Sequence, residues 1–431
     1  MYDTLKVTIC NSLCLIKGDN MKKVIRTLFS LAVCSSLASA GSYYNVAFEP
    51  KKDRSAFEKV ELSFNVDLTF TYQALSNTFT PSDGTTQQPI QSGLILPTAD
   101  LDINAKVMKG FNVKLETMLS SHHHNETYVK GGYASIDSLD FVTPGFAEGF
   151  MDQATFKIGV DDIDFGDAHF RRTDNADVFH NPFVMNLAVE SYMQAGFIEL
   201  LYRVPVIDAF FLAGITNGQV NPDDVKKSEG SDAYSYYIKL GYDNQLDDDL
   251  RFRATESIFY VRGTSKNSLY LGDKAGNVAR EIFNNTTTTA GNDFGTGWKA
   301  ISGYKDLTVS MTNVFTKYMG TEFFGLLEIA DGADSTDSSV KMLHYSVEAV
   351  QRFGEHERFY AAARYENAKT TDQSDPSDDK LTQIQATLGW FLSEHAMAKL
   401  EYIKQERKNF EEYLGGTGKF DGFMVSAAIS F

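Results

Sequence analysis

The feature that most constrains this chain is a strict two-residue alternation. From Val60 to Tyr72, apolar residues occupy every even position and polar residues every odd position. A period of two is that of a β-strand with one apolar face and one polar face. Because the run is longer than most strands of soluble sheets, it predicts a long strand that separates two different solvents.

The same alternation recurs along the rest of the chain. It is clear at 101–107, 111–115, 154–160, 250–254, 359–365, 384–390 and 423–431. Weaker alternation predicts further strands at 192–203, 206–216 and 293–304. The sequence contains no uninterrupted apolar run of about 18 residues, which argues against a bundle of membrane-spanning helices.

The connections between these strands indicate the topology. Short ones are predicted at 109–110, 204–205, 243–248, 305–306, 354–357 and 393–395. Longer ones, rich in Gly, Asp, Ser, Thr and Asn, are predicted at 73–97, 161–191, 217–231, 263–292, 318–338, 369–379 and 409–419. Two weaker cases are a brief loop at 121–127 and a longer turn at 139–151. Short periplasmic turns that alternate with long external loops are typical of outer-membrane barrels. We therefore predict an all-β fold, a transmembrane antiparallel β-barrel of about 16 strands.

The first 40 residues have the pattern of a segment that is removed on export. Residues 21–40 combine a basic start, an apolar stretch and a small-residue cleavage site at Ala38-Ser39-Ala40, as a signal peptide does. We predict an upstream extension before Met21, a short periplasmic segment at 41–59 and a barrel at 60–431. All three cysteines precede residue 41, so the exported chain would carry no thiol to mispair in an oxidising periplasm.

Charge and motifs exclude several classes of function. The formal net charge is -17, and no basic stripe is present to bind nucleic acid. No G-x-S-x-G or comparable element indicates an enzyme. The histidine run His122-His123-His124 lies in a polar loop where nothing fixes a metal geometry. We expect no catalytic activity, no cofactor and no metal.

The last strand ends on an aromatic residue. Apolar residues alternate from Phe423 to Phe431, and a final strand of this kind resembles the assembly signal of bacterial outer-membrane proteins. The expected partners are the barrel-assembly machinery, through the strand that ends at Phe431, together with outer-membrane lipid and lipopolysaccharide. The expected location is the outer membrane of a Gram-negative bacterium.

The connection after the fifth strand mixes aromatic residues with dense charge of both signs. A loop of about 30 residues in a compact fold is usually functional or disordered, and its aromatic residues argue against disorder. In a barrel of about 16 strands, such a third external loop would fold inward, pack on the wall and narrow a water-filled channel. The candidate constriction residues are Asp167, His169, Arg171, Arg172, Asp174 and His180.

Two interpretations of the adjacent arginines stay open. Arg171 and Arg172 could face acids such as Asp167 and Asp174 across a narrow opening and create a transverse field that filters polar solutes. They could instead pair with nearby carboxylates and fasten the loop to the wall.

A resemblance to known porins rests on this region. The run Gln153 to Gly166, QATFKIGVDDIDFG, is similar to the corresponding strand and loop entry of the phosphate-selective porin O and P family. The cores FGDAHFRRTDN and HNPF that follow resemble putative porins related to that family. The resemblance implies a barrel of about 16 strands, often a homotrimer, with the third external loop folded into the pore.

The polar faces of the strands predict the pore lining. Its candidate residues are Asp67, Asp102, Lys106, Lys114, Lys157, Arg251, Arg253 and Arg364. With the other inward positions of the clearer strands, the basic residues also include Lys239 and Lys399, and the acidic residues also include Glu61, Glu116, Glu348, Glu366 and Glu401. Acidic and basic residues are then nearly balanced, which argues against strong selection for anions. We expect a porin that lets small hydrophilic solutes or ions diffuse passively into the periplasm. The alternative is a structural or adhesive barrel whose loops bind an external partner.

Overall fold

The computed structural model describes most of the chain from residue 60 onward. The described residues are 60–82, 84–120, 126–172, 178–217, 234–264, 269–270, 283, 305–333, 338–372, 378–409 and 413–431. The predicted extension, signal peptide and periplasmic segment lie outside them, so this division of the chain stays a prediction. So do His122-His123-His124 and Asp174.

Sixteen strands follow one another along the chain. They are β1 (Glu61–Pro81), β2 (Gly93–Met108), β3 (Phe111–Ser120), β4 (Glu126–Ile136), β5 (Ala154–Asp162), β6 (Gln194–Val204), β7 (Ala209–Thr216), β8 (Ser235–Gln245), β9 (Leu250–Val261), β10 (Asp306–Tyr318), β11 (Thr321–Ala333), β12 (Ser339–Phe353), β13 (Phe359–Asp372), β14 (Asp379–Ser393), β15 (Ala396–Lys408) and β16 (Tyr413–Ser430).

Every strand pairs antiparallel with its neighbours in sequence, and β1 pairs with β16 to close the sheet. The closing register runs from Asp67 opposite Ser430 to Pro81 opposite Tyr413. The backbones of Val66 and Phe431 exchange hydrogen bonds of 2.8 and 3.1 Å at the seam. Closure leaves no unpaired sheet edge. The predicted fold class, a closed antiparallel β-barrel, is confirmed.

The two faces of the sheet differ in polarity. On β1, Asp67, Thr69 and Thr71 point inward and are buried, whereas Phe64 and Tyr72 point outward and are exposed. Near the short turns, the outward rings of Phe353, Phe359 and Trp390 stack with centroids 5.9 and 6.1 Å apart. An apolar outer belt with aromatic rings and a polar interior is the arrangement of a barrel that spans a membrane.

The predicted connections at 305–306 and 318–338 differ from the structure. The expected short turn at 305–306 would follow a tenth strand at 293–304, which lies outside the described residues; β10 instead begins at Asp306 and pairs directly with β9. The expected loop at 318–338 contains β11, which a tight turn at Met319 and Gly320 connects to β10.

The polarity of β11 explains why it was missed. Its inward residues Phe324 and Leu326 are 4% exposed and pack in an apolar cluster with Phe165 and Met311 inside the barrel. Its outward residue Phe323 is also apolar. Where the lumen wall is covered by other residues instead of water, the inward face can be apolar and the alternation disappears.

The remaining described residues form short elements. A single-turn helix, α1 (Glu148–Met151), precedes β5. The turn Asp140–Phe146 belongs to a compact unit separate from the barrel, and in it the amide of Gly145 donates to the carboxylate of Asp140 at 2.8 Å. Among the described residues, no helix is both long enough and apolar enough to cross a bilayer.

Candidate pore constriction

Residues 163–193 connect β5 to β6, and we call them the inserted segment; within it the structure describes residues 163–172 and 178–193. Gly166 turns the chain with a φ of +69°, and a Cβ at this position would lie 2.3 Å from the sulfur of Met311 on β10. Only glycine combines this conformation with so close an approach. A 3₁₀ helix, Ala168–Arg171, follows. The segment therefore packs against the inward face of the wall from its first turn.

Asp167 is the first anchor. Its carboxylate accepts hydrogen bonds from the Nε and Nη2 atoms of Arg253 at 2.8 and 2.9 Å, and from the hydroxyl of Thr255 at 3.0 Å. The Nζ of Lys239 lies 3.4 Å from it. The backbone amide of Asp167 donates to the side chain of Asn313 at 2.9 Å. Four side chains on β8, β9 and β10 thus hold one loop residue.

The charges around this anchor set its protonation state. Burial alone would raise the pKa of Asp167, but the hydrogen bonds from Arg253 and the charge of Lys239 lower it from 3.8 to about 2. Burial and the charge of Lys239 lower the pKa of His169 to about 4, against the opposing charge of Asp164. At neutral pH, Asp167 is therefore ionised and His169 is neutral.

We expect the first anchor to weaken only in acid. Because the pKa of Asp167 is lower in the folded protein than in the unfolded chain, its stabilising contribution is complete above about pH 4 and is lost as the pH falls towards about 2. Hydrogen exchange of amides 165–172 should accelerate across this range. In the variant Asp167→Asn, exchange should already be fast at neutral pH and show no such acid step. An acid step of the same size in the variant would contradict this assignment.

The adjacent arginines bind two different glutamates. The Nη2 of Arg171 lies 2.7 Å from Glu348 on β12, and its guanidinium lies 4.8 Å from the ring centroid of Phe324. Arg172 is paired with Glu190 of the same segment and lies over the ring of Tyr192. Neither arginine faces Asp167, whose partners are Arg253 and Lys239. Arg171 thus contacts the wall, as the second interpretation expects, whereas Arg172 pairs within the segment. Asp174 lies outside the described residues, so both interpretations stay predictions.

The second half of the segment is held through its backbone. Lys399 on β15 donates to the carbonyls of Val178, Asn181 and Phe183 at 3.1, 2.6 and 3.2 Å. Glu401, two residues along, accepts from the amides of Val184 and Met185 at 2.6 and 3.3 Å.

A third backbone anchor lies on β13. Glu366 accepts from the amides of Ala188 and Val189, both at 2.9 Å. Lys399, Glu401 and Glu366 are therefore charged residues of the wall that bind loop backbone. The sequence analysis did not select them as site residues.

The lumen beside β1–β4 contains open space. A cavity of about 420 Å³ lies there. The inward residues that line it are Glu61, Ser63, Asn104, Lys106, Asn112, Lys114, Tyr133 and Ser135. The anchors of the inserted segment described above lie on β8–β15, and the segment also reaches β1, where the amide of Val178 contacts Asp67. The open space is therefore that of the cavity itself and does not extend along the whole of β1–β4.

Some of the predicted lining residues line the cavity, and others contact the inserted segment. Lys106 and Lys114 line the cavity; Lys106 lies 3.6 Å from Glu61, and Lys114 lies 3.1 Å from Asp102. Arg253 and Arg364 instead bind the inserted segment. The other predicted residues also have partners: Asp67 accepts from the amide of Val178, Lys157 lies 3.8 Å from Glu199, and Arg251 lies 2.6 Å from Asp243.

Of the predicted constriction residues, His180 is exposed and His169, Asp167 and Arg172 are buried. Arg171 is partly buried. Their role in narrowing a pore stays a prediction.

A closed barrel with an apolar belt and a partly filled polar lumen is the architecture of a membrane-spanning β-barrel. No protein-family model matches the sequence, and a search of curated proteins finds no relative. Solved structures do match. An anion-selective porin from Comamonas acidovorans is 11% identical with a TM-score of 0.51, over 86% of this chain and 100% of that one.

OmpT, an outer membrane protein of Vibrio cholerae, matches in its trimer form at 11% identity and a TM-score of 0.50, over 87% of this chain and 100% of that one. Its loop L8 deletion mutant matches at 13% identity and a TM-score of 0.50, over the same shares of the two chains. At such identities the likeness shows the fold alone, which is that of an outer-membrane barrel.

Proposed function

We propose that this protein is a porin of the outer membrane of a Gram-negative bacterium and that small hydrophilic solutes or ions diffuse passively through it. The observation that carries the proposal is the polar cavity of about 420 Å³ beside β1–β4. Its inward side chains are hydroxyls, amides, lysines and a glutamate, which can replace part of the hydration shell of a polar solute. The fold it shares with an anion-selective porin supports the same function.

The inserted segment would narrow this pore by occupying the lumen beside β8–β15 and part of β1, so solutes would pass through the cavity beside β1–β4. The side chains of Lys106 and Glu61 are 56% and 73% exposed there, and Lys114 is partly neutralised by Asp102 and Glu116. Charges of both signs are thus available to a passing ion, so we expect weak selectivity. The relation to the phosphate-selective porin family remains an expectation from the resemblance.

We also propose that the protein acts as a homotrimer surrounded by outer-membrane lipid and lipopolysaccharide, and that Phe431 helps the assembly machinery to recognise the last strand. The trimer form of the Vibrio cholerae protein supports the oligomer.

Planar-bilayer recording on purified protein tests the function. Steady conductance steps are expected, whereas electrically silent insertion would favour the alternative of a structural or adhesive barrel. A liposome-swelling panel of sugars, phosphates and amino acids would then identify the permeant solutes.

A further inference from the structure

One histidine lies between two glutamates on the inward face of the barrel. His344 on β12 is 0% exposed. Its Nδ1 lies 2.9 Å from Oε2 of Glu328 on β11, and its Nε2 lies 3.2 Å from Oε1 of Glu366 on β13. The first contact is a hydrogen bond, and the second is an ion-pair distance without hydrogen-bond alignment.

Each of these glutamates also holds a loop. Glu366 accepts from the amides of Ala188 and Val189 in the inserted segment. Glu328 accepts from the hydroxyl of Tyr270, which belongs to the long connection after β9, at 2.6 Å. The amide of Tyr192 donates to the carbonyl of Leu269 at 2.9 Å, so the two loops are also bonded to each other. One imidazole therefore lies at the junction of three strands and two loops.

The charge of the imidazole decides whether this junction holds. In the imidazolium both ring nitrogens carry a proton, and each faces a carboxylate. In the neutral ring one nitrogen has a lone pair, and that lone pair faces a carboxylate in a buried site. Within the described part of the chain, no lysine or arginine forms an ion pair with Glu328 or Glu366. Tyr270 is the other titratable group that reaches this site, and the inserted segment contributes backbone amides.

We propose that His344 is a proton-dependent latch, whose imidazolium holds the inserted segment on β13 and the connection after β9 on β11. Loss of the proton leaves two buried carboxylates without a cation between them, so the glutamates repel each other and both loops loosen. This regulation rests on the proposed pore, since the inserted segment is what would narrow it.

Hydrogen exchange tests the latch without any current. In His344→Gln, the amides of Ala188 and Val189 should exchange at least about tenfold faster at neutral pH than in the parent. In the parent, their exchange should rise towards that of the variant as the pH becomes alkaline, after correction for the intrinsic pH dependence of exchange. His356→Gln is the matched control, because His356 lies in the turn after β12 with its side chain 85% exposed.

Current recordings separate this proposal from the function itself. With a working latch, His344→Gln should show open-channel fluctuations at neutral pH that the parent shows only at alkaline pH. If neither the parent nor His344→Gln conducts but their exchange rates differ as expected, the proposed porin function is wrong and the proposed latch is supported. Unchanged exchange in His344→Gln would overturn the latch whatever the current. If that variant does not fold, the alkaline response of the parent decides in the same way.

Discussion

Deleting residues 167–190 and joining the ends by a short glycine linker is expected to raise single-channel conductance about two- to threefold. The inserted segment is anchored mainly on β8–β15 and also contacts β1, and a barrel of 16 strands without it has an interior wide enough for an aqueous channel. The barrel should still assemble, because closed strand pairing and outward apolar burial stabilise it.

The conductance of the deletion variant is measured in bilayers beside that of the parent. Its folded state is checked by far-ultraviolet circular dichroism and resistance to protease. A folded variant with the conductance of the parent would show that the inserted segment does not obstruct the path.

The second large effect is expected for Lys399→Met. Three backbone carbonyls accept from this one ammonium group, and each buried group left without a partner costs about 1–3 kcal/mol. Methionine fills similar space without a donor, so residues 178–183 should come away from β15. We expect the backbone amides of residues 178–183 to exchange at least about tenfold faster than in the parent. This factor corresponds to about 1.4 kcal/mol in the free energy of local opening.

Lys404→Met is the matched control for this change. Lys404 lies on the same strand but points outward and is exposed. Its replacement should leave exchange of residues 178–183 unaltered. Equal effects of the two substitutions, or no effect of Lys399→Met, would mean that Lys399 does not anchor the segment.

The sequence predicted the barrel because most strands separate water from lipid. Val60 to Tyr72 is the clearest case, and all of it but Val60 lies in β1, which continues to Pro81. The prediction failed at β11, where Phe324 and Leu326 pack inside the barrel and interrupt the polar inward residues Glu322 and Glu328. A period of two reports a difference between two surroundings, so it disappears where both faces are apolar.

The site was less predictable than the fold. The aromatic content of the third external loop indicated that it packs on something, but not which wall residues bind it. Lys399, Glu401 and Glu366 occupy ordinary inward positions and look like pore lining in the sequence. Their role depends on which loop backbone reaches them, and no periodicity encodes that contact.

The central claim, a solute path along β1–β4, is tested most directly by blocking that path. The predicted exported chain, from residue 41 onward, has no cysteine, so in that chain a single introduced thiol can be modified selectively. Asn104→Cys places the thiol in the cavity, and Leu101→Cys places one on the outer face of the same strand.

The conductance of single channels is recorded before and after a bulky, water-soluble methanethiosulfonate is added. The account predicts steady conductance that falls by about half or more for Asn104→Cys and does not change for Leu101→Cys. Steady conductance that the modified Asn104→Cys retains in full, or no conductance in the parent protein, would contradict it.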